Sequence, residues 1–243
     1  MDLSTAVREF RVDSNMITVG EKMREADILR QFQQTGMDHL ENAGHGLKVL
    51  QAEHQLFLLA RNSVRFYLTP EYYEKLTAMT CAPRYDGLFC VRYYAMRNEK
   101  GELVADSCSY WTLFDSEQMR IIRPGHVDDS YLPRVEAFTV TAPPPRRLTP
   151  PEGMTEIGRH VVQLHETDQY GHLNNTRYVD ILRGLIPANE RISGLELNYN
   201  RQLPPGAEFS VVTDGNGFYA FVRDGANCFS AYVKTMQIKE VMK

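Results

Sequence analysis

The run Asp168-Gln169-Tyr170-Gly171-His172-Leu173-Asn174-Asn175-Thr176-Arg177-Tyr178 concentrates the groups in this sequence that could do chemistry. Asp168 offers a carboxylate and His172 an imidazole, while Gly171 lets the backbone approach a ligand closely. Asn174 and Asn175 are residues that open helices. Behind them Tyr178, Ile181, Leu182 and Leu185 recur at the spacing of one apolar helix face, which makes Tyr178 a core residue first. The pattern places a carboxylate and an imidazole at a helix N-terminus, where unpaired backbone N–H groups favour developing negative charge. It therefore predicts an oxyanion hole made by the backbone from Gly171 through Leu173 to Asn174.

Other elements must hold this loop. Apolar residues at helical spacing (Ala26, Leu29, Phe32, Gly36, Leu40 and Ala43) predict an amphipathic helix over 23–43, stopped by Gly44-His45-Gly46. The period then changes to two, and strands are predicted at 56–68, 77–82, 88–96, 103–114 and 119–122, after a short extended segment at 10–15. Prolines crowd between Thr141 and Gly153, where no strand can enter a sheet interior. Beyond them the order repeats: a strand at 155–165, a helix at 175–186, then strands at 192–202, 208–214, 218–223 and 228–239. This predicts two α+β units, 1–140 and 154–243, joined by a proline-rich linker at 141–153.

Composition narrows the class. The chain has 243 residues and a formal net charge of −4, with no basic run that would suggest a nucleic-acid partner. No leader-like N-terminus and no apolar run long enough for a membrane span is read, so a cytoplasmic protein is expected. Cys81, Cys90, Cys108 and Cys228 lack Cys-x-x-Cys spacing and read as buried free thiols. The remaining histidines, His126 and His160 among them, have no partners at ligand spacing, so neither a metal site nor a cofactor is expected.

A long helix followed by an antiparallel sheet able to curl around it is the layout of the hotdog fold. The run Asp168-x-x-Gly171-His172-x-Asn174-Asn175-x-x-Tyr178 is similar to the active-site loop of hotdog thioesterases of the 4-hydroxybenzoyl-CoA thioesterase type. The tandem arrangement resembles the acyl-acyl carrier protein (acyl-ACP) thioesterases, and the segment from Glu99 to Trp111 is similar to that family's first-domain hairpin. The N-terminal unit has Thr18-Val19-Gly20-Glu21-Lys22 where the loop would be, so catalysis is expected of the C-terminal unit alone.

The resemblance implies hydrolysis of a fatty acyl-ACP thioester to free fatty acid, within fatty acid biosynthesis. Asp168 and His172 fall on the family's catalytic aspartate and histidine, and Asn174 and Asn175 on its paired asparagines. Two features depart. The plant enzymes have asparagine where this chain has Tyr170, and Gln202 and Leu203 stand where they carry glutamate and cysteine. Glutamine can position a water but cannot take its proton. Gln202 is thus either the holder of the attacking water or an ordinary strand amide, and Asp168 either a general base or a nucleophile. Tyr170, Asn175, Arg177 and Trp111 are assigned to substrate binding. Phe32, Phe57, Met79, Phe89 and Trp111 are apolar candidates for an acyl pocket in the first unit. An acidic carrier calls for local basic residues, for which Arg146, Arg147, Arg177 and Arg183 are candidates. Acyl-CoA hydrolysis and non-catalytic acyl-chain binding are the alternatives. An exposed sheet edge would favour a homodimer.

Overall fold

A computed structural model of the chain describes residues 3–124 and 132–238, and these divide between Pro145 and Arg146 into two compact units. The first runs β1 (Ala6–Arg11), α1 (Glu25–Asn42), α2 (Leu47–Ala52), β2 (Gln55–Phe66), β3 (Lys75–Asp86), β4 (Phe89–Asn98), β5 (Leu103–Asp115) and β6 (Arg120–Ile122). Its sheet is antiparallel in the order β1-β3-β4-β5-β2, with β6 paired to the end of β5. The apolar face expected of α1 is the one that is buried, with Ala26, Leu29, Phe32, Gly36 and Leu40 all turned inward. Phe32 stacks on Tyr94 of β4 at 5.2 Å between ring centroids. One turn on, Gly36 must lack a side chain, because a Cβ there would lie 2.6 Å from the Tyr94 hydroxyl oxygen. Helix α2 was not expected; its six residues follow Gly46 and are too few for a period to show.

The second unit comprises β7 (Thr155–Val161), a 3-10 turn at Leu164–Glu166, α3 (Arg177–Arg183), β8 (Glu190–Tyr199), β9 (Glu208–Thr213), β10 (Phe218–Arg223) and β11 (Ala226–Gln237). Its antiparallel order is β8-β11-β10-β9-β7. Tyr178 fastens α3 to this sheet, packing on Phe229 at 4.5 Å, Tyr199 at 5.4 Å and Phe221 at 5.7 Å. Burying rings of this size stabilises the contact by roughly 2–3 kcal/mol each. Several boundaries differ from expectation: β7 stops at Val161 and gives way to the 3-10 turn, α3 is shorter than the 175–186 segment, and β8 and β11 each lie about two residues earlier than expected. Both units are antiparallel sheets with a helix against one face, the tandem hotdog architecture of the α+β class. Among the described residues no helix is long and apolar enough to cross a membrane.

Each end of the proline-rich segment is tied to its own unit by side chains in place of a strand ladder. The buried Asp106 carboxylate accepts the Thr141 N–H at 2.6 Å, the Thr141 hydroxyl at 2.9 Å and the Ala142 N–H at 3.2 Å. In the second unit Asn198 accepts the Leu148 N–H at 2.9 Å and donates to the Arg146 carbonyl at 3.0 Å, while Arg146 pairs with Glu196 at 2.7 Å.

Candidate active site

The loop from Asp168 to Thr176 is folded by its own polar groups. Gly171, at φ +75°, closes a turn in which its N–H donates to the Asp168 carbonyl at 3.0 Å, and the Asp168 N–H reaches the His172 carbonyl at 2.8 Å. Asp168 Oδ1 then accepts the N–H of Tyr170 at 2.9 Å and of His172 at 3.2 Å. One carboxylate oxygen is committed to the turn, and no protein donor among the described residues reaches Oδ2. His172 is half-buried, and its Nδ1 is buried without a hydrogen-bond partner. An unspent carboxylate oxygen and an unspent imidazole nitrogen on one short turn are what proton transfer to or from a bound ligand requires.

The backbone does not supply the oxyanion hole expected from the sequence. Beyond the Gly171 and His172 N–H groups already spent, Leu173 donates to the Leu203 carbonyl at 2.8 Å and Asn174 to the Glu166 carbonyl at 2.9 Å. Gly171 and Leu173 therefore shape the loop, and its donors must come from side chains or from further along. The paired asparagines also divide. Asn174 Oδ1 accepts the Thr176 N–H at 3.0 Å and the Thr176 hydroxyl at 2.8 Å, turning the chain into α3. At Asn175 the carbonyl takes the Tyr199 hydroxyl at 3.0 Å, and the N–H and side-chain amide have no protein partner among the described residues.

The other expected residues are less uniform. Gln202 is exposed and makes no hydrogen bond among the described residues, but its neighbour Leu203 is buried and receives the Leu173 N–H, which places Gln202 next to the loop. Burial pushes the Tyr170 hydroxyl up, and does so further for Tyr178, whose packing is that of a core residue. Arg177 pairs with Asp180 at 3.1 Å, as Arg146 does with Glu196, so neither is an uncommitted cation. Trp111 lies in the first unit, donating from Nε1 to Ser109 Oγ at 2.8 Å and packing beside Leu40, Leu50 and Leu132. Of the acyl-pocket candidates, Phe57 lines an open groove, whereas Phe32 and Phe89 are stacked on Tyr94 and Tyr110.

Two features escaped the sequence reading. His160 does have an acidic partner: its Nε2 lies 2.9 Å from Glu166 Oε2, which also accepts the Gln163 N–H at 2.8 Å. Burial works against ionisation of Glu166, but these donors together outweigh it and hold the carboxyl below its usual range. The Gln163-x-x-Glu166 spacing is that of a capping box and was the available signal. His126 lies outside the described residues. All four cysteines are free and buried, and burial pushes the Cys108 thiol up to about 12.

The other feature is that the first unit repeats the loop's hydrogen bonds bond for bond. Thr18 donates to the Lys22 carbonyl, Glu21 to Thr18, Met23 to Pro70 and Arg24 to Met16. Asp168 donates to His172, Gly171 to Asp168, Leu173 to Leu203 and Asn174 to Glu166 in the same pattern. Thr18 thus stands at the Asp168 position, Lys22 at His172 and Arg24 at Asn174. The turn is kept twice, and the carboxylate and imidazole occur in one copy only.

A family model, acyl-ACP thioesterase N-terminal domain, matches residues 4–131 of the sequence. Among solved structures, an acyl-ACP thioesterase from Bacteroides thetaiotaomicron aligns with a TM-score of 0.86 at 17% identity, covering 97% of this chain and 100% of its own. A Lactobacillus plantarum protein provisionally described as an oleoyl thioesterase aligns at 0.81 with 15% identity, over 98% of each chain. The 12:0-ACP thioesterase from Umbellularia californica aligns at 0.75 with 15% identity, over 98% of this chain and 99% of its own. At such identities these likenesses establish the fold. No curated protein sequence matches the chain.

Proposed function

Because the chain belongs to the acyl-ACP thioesterase family, and is thereby a thioester hydrolase, we propose that its substrate is a fatty acyl chain on acyl carrier protein and its product the free fatty acid. The observation that carries this reading is the Asp168 carboxylate, anchored through Oδ1 by two backbone N–H groups and left open at Oδ2. Asp168 takes a proton from the attacking water, or attacks the carbonyl itself to give an anhydride that water then cleaves. In either case the C–S bond breaks and the thiolate leaves with a proton, for which His172 is the donor on the loop. With the N–H groups of Gly171 to Asn174 spent, the Asn175 amide and N–H and the His172 ring are the groups assigned to the oxyanion. A single such donor contributes roughly 3–4 kcal/mol in acyl transfer. Gln202, exposed beside the loop, is assigned to the attacking water.

The test is thiol release from acyl-ACP and acyl-CoA thioesters of increasing chain length, with Asp168→Asn beside the unmodified protein. The expected result is turnover of carrier-bound substrates with higher kcat/KM than their CoA counterparts, and loss of nearly all turnover in Asp168→Asn. Full activity in that variant removes Asp168 from the chemistry, and a preference for CoA esters assigns the site to acyl-CoA.

A further inference from the structure

Tyr178 is 3% exposed, and its ring packs among Phe229, Tyr199 and Phe221 as an apolar core side chain would. Phenylalanine would serve that packing equally well, so the hydroxyl needs a separate account. No described residue hydrogen-bonds it. Among the described residues of the second unit, the sealed polar side-chain atoms without a partner are His172 Nδ1, Arg183 Nη1 and Asn227 Oδ1. The Tyr178 oxygen is not one of them, so it stands at an opening in the core and not in a closed void. A tyrosine whose ring is buried and whose hydroxyl is open and unbonded presents that hydroxyl to a ligand or a water.

The opening lies at the loop. Long side chains lean toward the start of their helix, so Tyr178, the second residue of α3, covers the turn just before it. Its ring meets Tyr199 edge-on at 5.4 Å, and the Tyr199 hydroxyl donates to the Asn175 carbonyl at 3.0 Å, which brings both rings beside Asn175. Burial raises the pKa of the Tyr178 hydroxyl, and the charges of Cys228 and then Asp168 raise it further, so both groups lie near it. The Cys228 carbonyl accepts the N–H groups of Asn200 at 2.8 Å and Arg201 at 3.0 Å, and Gln202 follows directly in the chain. The hydroxyl therefore lies between the Asp168 carboxylate and the strand end that carries Gln202.

Asp168 acts on Tyr178 by charge with no hydrogen bond between them, a spacing that an intervening oxygen fills. The two ends decide which oxygen it is. The hydroxyl stays protonated and donates, whereas a carboxylate only accepts. An oxygen between them must accept from one and donate to the other. A thioester carbonyl cannot donate, and a water can.

We propose that the Tyr178 hydroxyl fixes the attacking water against Asp168 Oδ2, as a further catalytic residue of the hydrolysis. The water accepts from Tyr178, donates one proton to Asp168 Oδ2 and the other to the Gln202 side-chain carbonyl, and keeps one lone pair for the thioester carbon. Its oxygen bonds that carbon as Asp168 takes the proton. The C–S bond then breaks, and the thiolate takes a proton from His172. This rests on the thioesterase reading, and of the two roles open to Asp168 it selects the general base.

The test is Tyr178→Phe in the full chain, which removes one oxygen and keeps the ring. On the best thioester of the unmodified protein, kcat is expected to fall at least about 10-fold with KM changed less than about 2-fold. The urea midpoint should stay the same or rise, because no protein hydrogen bond is lost. A merely structural tyrosine gives an unchanged kcat and a lower midpoint. Either of those results overturns the proposal, as does a Phe variant that does not fold. A single turnover of the unmodified protein in heavy-oxygen water should label the fatty acid and leave Asp168 unlabelled by mass spectrometry. Label in Asp168 makes the carboxylate the nucleophile and overturns the water's place. Failure of the thioesterase reading shows separately, as no thiol release by the unmodified protein from any acyl-ACP or acyl-CoA thioester, and it takes this inference with it.

Discussion

The Asn174 N–H donates to the Glu166 carbonyl at 2.9 Å, so the residue that turns the chain into α3 hangs from the 3-10 turn before the loop. That turn is held in its own right. The Glu166 carboxylate accepts from His160 Nε2 and from the Gln163 N–H, joining β7 to the start of the loop through one side chain.

Glu166 is therefore expected to position the loop without touching substrate. Glu166→Ala should lower kcat about 10-fold with KM changed less than about 2-fold, since small displacements of reacting groups are costly to the chemical step. Glu166→Gln, which keeps an acceptor for the Gln163 N–H, should recover most of the loss. Steady-state kinetics on one thioester decides it, and an unchanged kcat in the Ala variant rejects the role.

Much of the framework could be read from the sequence because it repeats locally. The buried face of α1 follows from Phe32, Gly36 and Leu40, and β10 runs from Phe218 to Arg223 as alternation predicts. Allocation of hydrogen bonds could not be read in the same way. The acceptors that use up the Leu173 and Asn174 N–H groups, Leu203 and Glu166, are set by tertiary placement, and no local pattern announces them. The same holds for Arg92, whose His39 partner lies on α1. Helix α3 came out short for a related reason: Asn174 and Thr176 bond each other before the first helical residue, Arg177.

The two asparagines should behave oppositely on mutation. Asn174 is committed to Thr176, so Asn174→Ala should cost about 1 kcal/mol of stability as a lost helix-opening residue, read as a lower urea midpoint. Asn175 is uncommitted apart from its carbonyl, so Asn175→Ala should fold normally and lose about 10²-fold in kcat as a lost oxyanion donor. If Asn174→Ala loses kcat with no change in stability while Asn175→Ala is active, the assignment is reversed.

His39 should make the protein acid-sensitive in a definite window. Its pKa falls from 6.5 to about 4 on folding, through burial first and then the charge of Arg92, with Arg134 adding to the effect and the Leu3 carbonyl opposing it. An unfolded chain therefore binds a proton on His39 between those values that the folded chain refuses, and the unfolded state is favoured as pH falls through the window. Stability from this group is complete above 6.5 and is lost progressively down to about 4. Between pH 7.5 and 4.5 the loss from His39 alone is about 2–3 kcal/mol. Glutamine can accept from Arg92 and donate to the Leu3 carbonyl without titrating, so His39→Gln should remove that share of the pH dependence. Urea unfolding of both proteins at the two pH values measures it. Parallel losses in the two would mean that His39 is protonated in the folded chain, and the neutral ring holding Arg92 would have to be abandoned.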